Sequence, residues 1–235
     1  MAGFGTLVGL AGAVLALAGA ASAAPYPAMG PVSAYMMPQA DEIAMARSAA
    51  PASLSADASV IVLGPKGYVE AAHGKNGFVC MVQRSWFAGF RDDGFWNPKI
   101  RGPVCFNAEA ARSVLPAFMT RTEWVMSGVS REVMVKRTAT AMGAHRIRTP
   151  EVGSITFMLS KEGYLGDDAA GPWHPHLMFY MPPMPVSDWG ANMPGTKVYG
   201  NGADPGDPYA VFYVPVANWS DGSPDEHPPG AHHDM

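Results

Sequence analysis

Apolar residues, many of them β-branched or aromatic, gather in three early runs, SVIVL (59–63), YVEAA (68–72) and FVCMVQRS (78–85). The breakers GPKG and HGKNG separate them, which predicts a strand meander. Asn76-Gly77 is the stronger turn signal, because both residues tolerate the positive φ that tight hairpins demand. The following stretch, FAGFRDDGFWNPKIRGP (87–103), has no period and reads as a long loop. From Asn107 the spacing becomes helical. Asn107 can cap a helix over 108–114, Pro116 kinks or restarts it, and it runs through Val125 to Gly128. A second helix starts at the cap Ser130, carries Glu132 in its first turn and stops at Gly143. Val133, Met134, Arg137 and Ala141 give it only a weak apolar stripe, enough to pack on one side. Three more strand runs close the pattern: SITFMLS (154–160), HPHLMFYM (174–181) and YAVFYVPVA (209–217). An earlier helical stretch, DEIAMARSAA from Asp41, places its acids first and ends at Pro51. The expected fold is α+β, a mainly antiparallel sheet from two strand clusters flanking a helical middle segment.

The ends of the chain behave differently. Residues 1–40 contain no Asp, Glu, Lys or Arg, and the run FGTLVGLAGAVLALAGA is apolar throughout. With the small-x-small pattern Ala21-Ser22-Ala23 at its end, 1–23 reads as a signal peptide. It lacks the usual basic start, so a misassigned start codon and a retained anchor stay open as alternatives; the Gly- and Ala-rich run falls short of the roughly 20 strongly apolar residues of a span. Residues 24–40 form an extended Pro/Ala/Met-rich lead, 41–220 a single domain, and the polar, proline-rich tail 221–235 is expected to be disordered. The expected compartment is therefore secreted or periplasmic. No stable membrane span is expected after processing, and the pattern assigns no oligomeric state.

Export changes the reading of the two cysteines. In an oxidising compartment an even count points to a bridge, so Cys80 and Cys105 are expected to pair, contributing on the order of 3 kcal/mol by the chain-entropy model. The net charge is −4, with no basic block, so nucleic acid is not an expected partner.

Candidate chemistry centres on GPWHPHLMFY (171–180). Pro175 holds His174 in extended geometry, so His174, His176, Met178 and Tyr180 share one strand face, opposite an apolar set expected to face the core. A proline within a strand also predicts an edge or a bulge. Two imidazoles on one face, about 6–7 Å apart by strand rise, can reach one Zn or Cu ion. Further ligands would come from His73, from the Asp167-Asp168 pair, or from Met178 if the metal is soft. The tail histidines, His227, His232 and His233, would bind metal only adventitiously. A metal-independent hydrolase is the second class: Ser160, Lys161, Tyr164 and His176 supply a hydroxyl, an amine, a phenol and a base, though without a GxSxG or SxxK motif. The third is a binding module in which Trp86, Phe87, Phe90, Phe95 and Trp96 stack on a small-molecule ligand or anchor a partner, with Phe95 and Trp96 the pair more inclined to fold inward.

Overall fold

The computed structural model describes Met1 and residues 25–167, 173–202 and 206–226. The expected signal segment beyond Met1, Asp168 and the tail from His227 onward lie outside the described residues.

Eight strands form one sheet in the order β2-β1-β3-β4-β5-β6-β8-β7. The class is α+β, as the pattern predicts, and every strand pair but one is antiparallel. β1 (Ser59–Gly64) and β2 (Gly67–Ala72) make a hairpin closed by Gly64 opposite Gly67. Their connection, GPKG, supplies the tight turn, with Gly67 at φ 121°.

The meander expectation fails at the next strand. β3 (Val79–Gln83) pairs with the far side of β1, in parallel, so the HGKNG segment is a crossover and not a hairpin. Gly77 does take a positive φ of 80°, but the turn is held by non-local partners: Asn76 donates from its side chain to the Leu54 carbonyl and Lys75 N–H donates to Asp57. Gly74 passes so close to the 57–59 backbone that a Cβ would meet Ser59 N at 2.1 Å. Only glycine fits there.

β4 (Gly102–Phe106) is absent from the local pattern: Gly102 and Pro103 end the stretch that reads as loop, and 104–106 carry no element signal. All five of its residues are buried, and an interior strand covered on both faces shows no alternation. Three residues, Tyr199–Asn201, make the short edge strand β7, and β5 (Ile155–Met158), β6 (His176–Met181) and β8 (Ala210–Pro215) match the remaining apolar runs. The disulfide is present: Cys80 of β3 and Cys105 of β4 are direct cross-strand partners.

Helix signals hold well. Asn107 Oδ1 accepts from Ala110 N–H at the start of α3 (Ala108–Ser113), following a four-residue α2 (Ala52–Ser55) and α1 (Gln39–Arg47) nearer the N-terminus. Pro116 lies in the first turn of α4 (Leu115–Met126), and Ser130 caps α5 (Arg131–Gly143). One stop differs, because Gly143 remains helical and His145 takes the left-handed turn at φ 52°.

One sheet face carries α1, where Ala46 packs with Val60, Val62, Val82 and the disulfide; further along it Ala210 and Phe212 meet Ala191. The opposite face holds the largest core, where Met81, Val104, Phe106, Met158, Met178 and Tyr180 meet Ala110, Val114, Leu115, Val125 and Met134. The lead is not merely extended. Tyr35 is fully buried in this core and donates to the Trp96 carbonyl at 2.8 Å, so order begins ahead of Asp41. Residues 221–226, expected to lack packing, fold back instead: Asp225 N–H donates to Ala217 O and Asn218 bridges to Pro224. Among the described residues no helix is long and apolar enough to cross a membrane.

Candidate functional site

The two central histidines occupy an interior strand. β6 lies between β5 and β8, which corrects the edge expectation. Pro175 sits one residue before the strand, and its carbonyl accepts from Val216 N–H at 2.8 Å, so its missing donor breaks no ladder bond. The facing is also inverted. His176, Met178 and Tyr180 are the buried positions, directed at the main core, while Leu177, Phe179 and Met181 on the other side are only half-buried.

His176 is 3 % exposed, packed edge-on against Trp173 and Tyr213. Its Nδ1 lies 2.8 Å from the His174 carbonyl, the donor geometry of a neutral ring protonated at Nδ1. Burial pushes its pKa down to about 4, because a charged imidazole loses hydration there. His174 is nearer the surface and places Nδ1 2.6 Å from Asp225 Oδ2. The residues expected to complete a metal centre do not gather here. His73 pairs with Glu70 on the turn after β2, four intervening strands away, and Met178 is buried core, its sulfur accepting from Tyr180 OH. Asp168 lies outside the described residues. Among the described residues no three His, Cys, Asp or Glu side chains group to hold a metal ion.

Asp167 has its own set of partners. Tyr26 and Tyr164 donate to it, as do Lys99 Nζ at 2.9 Å and Asn97 Nδ2 at 3.2 Å. These donors, Tyr164 foremost, hold its carboxyl far below the usual range. The cluster ties the N-terminal lead to the loop after β5.

The hydrolase set is dispersed as well. Ser160 is fully buried, shares a 2.6 Å hydrogen bond with Ser48 Oγ and accepts from Glu162 N–H; no histidine nitrogen is among its partners. Lys161 pairs with Asp221 at 2.9 Å. Tyr164 belongs to the Asp167 cluster. The aromatic loop is core: Trp86, Phe87, Phe90, Phe95 and Trp96 are each 9 % exposed or less, which removes them as a stacking surface. Trp86 Nε1 donates to Thr122 Oγ1 of α4, as a buried indole must.

A different region has the shape of a site. Between α4, α5 and the 146–148 segment lies a surface cavity of about 640 Å³, within the range of small-molecule pockets. Phe118, Trp124, Val133 and Ile147 form its apolar lining. Arg121, Lys136, Arg137, Arg146 and Arg148 also line it, with no carboxylate among the described lining residues. Arg121 is buried and committed to Asp207 and to the Trp86 and Ala88 carbonyls. The other four are exposed and make no ion pair among the described residues; Arg137 lies 5.7 Å above the Trp124 ring.

Local structure explains their convergence. Lys136 and Arg137 project from α5, and the left-handed His145 turns the chain back so that Arg146 and Arg148 follow the same cavity. Tyr209 OH then pins this return by donating to the Arg148 carbonyl at 3.2 Å. A sequence signal for this cluster exists: residues 133–150 hold Lys136, Arg137, Arg146 and Arg148 and no Asp or Glu. The cations are spread thinly enough that no block appears until α5 and the turn fold them together.

No family model, curated protein or solved structure matches this chain.

Proposed function

We propose that this chain is an exported binding protein for a small anionic ligand, held in the cavity between α4 and α5. One observation carries the reading: a pocket of ligand size is lined, among the described residues, by five cationic side chains and no carboxylate, in a chain whose net charge is −4. Four of those cations make no ion pair among the described residues, so a bound anion would relieve their mutual repulsion and gain charge-assisted, bidentate contacts from arginine. The apolar N-terminal run ending in Ala21-Ser22-Ala23 and the Cys80–Cys105 bridge support export to an oxidising compartment. Binding is favoured over catalysis because the candidate nucleophile and base do not meet: Ser160 is engaged with Ser48 and His176 with the His174 carbonyl.

Calorimetric titration of the mature protein with a panel of mono- and divalent anions at low salt tests the reading. The expected result is one-to-one binding by at least one anion that weakens with ionic strength and is lost when Lys136, Arg137, Arg146 and Arg148 are changed together to glutamine. Binding that survives this substitution, or no one-to-one binding by any anion, overturns it. Export predicts that the secreted or periplasmic form begins near Ala24, which intact mass measures directly.

A further inference from the structure

We infer that the ligand of the α4–α5 cavity is an organic anion with an apolar body, such as an aryl or alkyl carboxylate, sulfate or phosphate, and not an inorganic oxyanion; this rests on the anion-binding reading above. Size gives the first reason. A cavity of about 640 Å³ is far larger than a single oxyanion needs and falls in the range that encloses molecules of many heavy atoms. An inorganic ion would leave most of it to water.

The distribution of chemistry gives the second. The half-buried Trp124 and Ile147 and the 41 % exposed Val133 present apolar surface in the same concavity as the cations, with Phe118 beside them. Covering that surface removes apolar area from water, a gain only a ligand with an apolar body can collect. The cations have long, flexible stems from exposed backbone on one side of the cavity, along α5 and its return segment. They suit a headgroup held near the mouth while the body lies against Trp124 and Ile147. Arg121 at the base does not compete for that headgroup, because Asp207 and two carbonyls already occupy its guanidinium.

The hydroxyl and methyl groups of Thr120, Thr138 and Thr140 complete the lining without adding negative charge. Ser113 and Thr138 are internally bonded, Ser113 Oγ donating to Glu109 O and Thr138 Oγ1 to Met134 O. The polar recognition left for a ligand is therefore chiefly cationic.

The experiment compares matched probes against the full-length mature protein by calorimetry at low salt: naphthalene-2-sulfonate, octanoate, neutral 2-naphthylmethanol, inorganic sulfate, and vesicles of phosphatidylglycerol. The expected result is one-to-one binding of naphthalene-2-sulfonate or octanoate at least tenfold tighter than both sulfate and the neutral alcohol. Arg146→Gln with Arg148→Gln should weaken it tenfold or more. So should Val133→Asp, which adds a carboxylate at an exposed lining position without opening the core. Trp124→Leu should weaken naphthalene-2-sulfonate more than octanoate, and circular dichroism reports whether each variant is folded. Sulfate binding as tightly as the organic anions, with loss in the arginine variants, would overturn this inference and leave the anion-binding reading intact. Equal binding of the neutral alcohol, or no binding by any soluble probe, would overturn both, and binding to vesicles alone would assign the face to a membrane surface and overturn the soluble-ligand inference.

Discussion

Two polar regions of this molecule, the histidine corner at the start of β6 and the cavity between α4 and α5, carry similar residue types and resolve them in opposite ways. At the corner each imidazole is already answered from within: His174 by Asp225, His176 by a backbone carbonyl and two aromatic rings. In the cavity four cations face solvent with no acid among the described lining residues. Polar groups satisfied internally hold a fold together, and polar groups left exposed and uncompensated in a concave surface are available to a ligand. Chemistry-bearing residues alone do not separate the two cases.

If that contrast is right, substitutions among satisfied groups should cost stability, and substitutions in the cavity should cost binding. The extreme of the first class is the ion pair of Arg84 with Glu42, both fully buried, in which Arg84 also donates to the Tyr35 carbonyl and Glu42 accepts from Leu63 N–H. Arg84→Met leaves a buried carboxylate without its counter-charge and should destabilise by about 3–5 kcal/mol in denaturant unfolding. A loss below about 1 kcal/mol would mean the pair is not a structural element.

His176 gives the next largest effect, read as a pH dependence. Above pH 6.5 the ring is neutral folded and unfolded. Below it the unfolded chain takes up a proton that the folded state refuses until about pH 4, so stability falls across that window by up to about 3 kcal/mol. His176→Gln should flatten this slope in urea melts at successive pH values. An unchanged slope would place the titrating group elsewhere.

Asp225→Ala removes the acceptor of His174 and should cost about 1.5–3 kcal/mol, the range for hydrogen bonds to charged groups. Unchanged stability would break the contrast and return the corner to consideration as a functional site. The smallest expected effect is in the cavity: replacing Lys136, Arg137, Arg146 and Arg148 by glutamine should move stability by no more than about 0.5 kcal/mol, because the side chains are exposed and make no ion pair among the described residues. The same variant should lose anion binding. Large destabilisation there would show that the cluster is structural after all.

Much of the architecture was legible in local pattern. Asn107 and Ser130 announce their helices because an N-cap needs only a side chain and a nearby N–H. Runs of apolar, β-branched and aromatic residues bounded by Gly, Pro and Asp located β1, β5, β6 and β8, because such side chains fit a pleated, packed backbone and the breakers end it. The two cysteines in a chain with an apolar leader pointed to the bridge found between β3 and β4. What local pattern missed was β4, whose burial on both faces erases alternation, and the crossover at Gly74–Gly77, where pairing is decided by β1 and the 54–57 segment.

The candidate site divides along the same line. Sequence by itself determined the α+β class, the helix caps, the extended backbone at Pro175 and the residues able to form a disulfide, because these depend on dihedral preference, period and composition. Only the tertiary structure decided which face of β6 is buried, that the aromatic loop turns inward, and that cations from α5 and its return segment share one cavity. Those outcomes depend on partners far along the chain: burial is a property of what packs on a face, and electrostatic convergence of how the backbone turns, and neither is encoded within a short window.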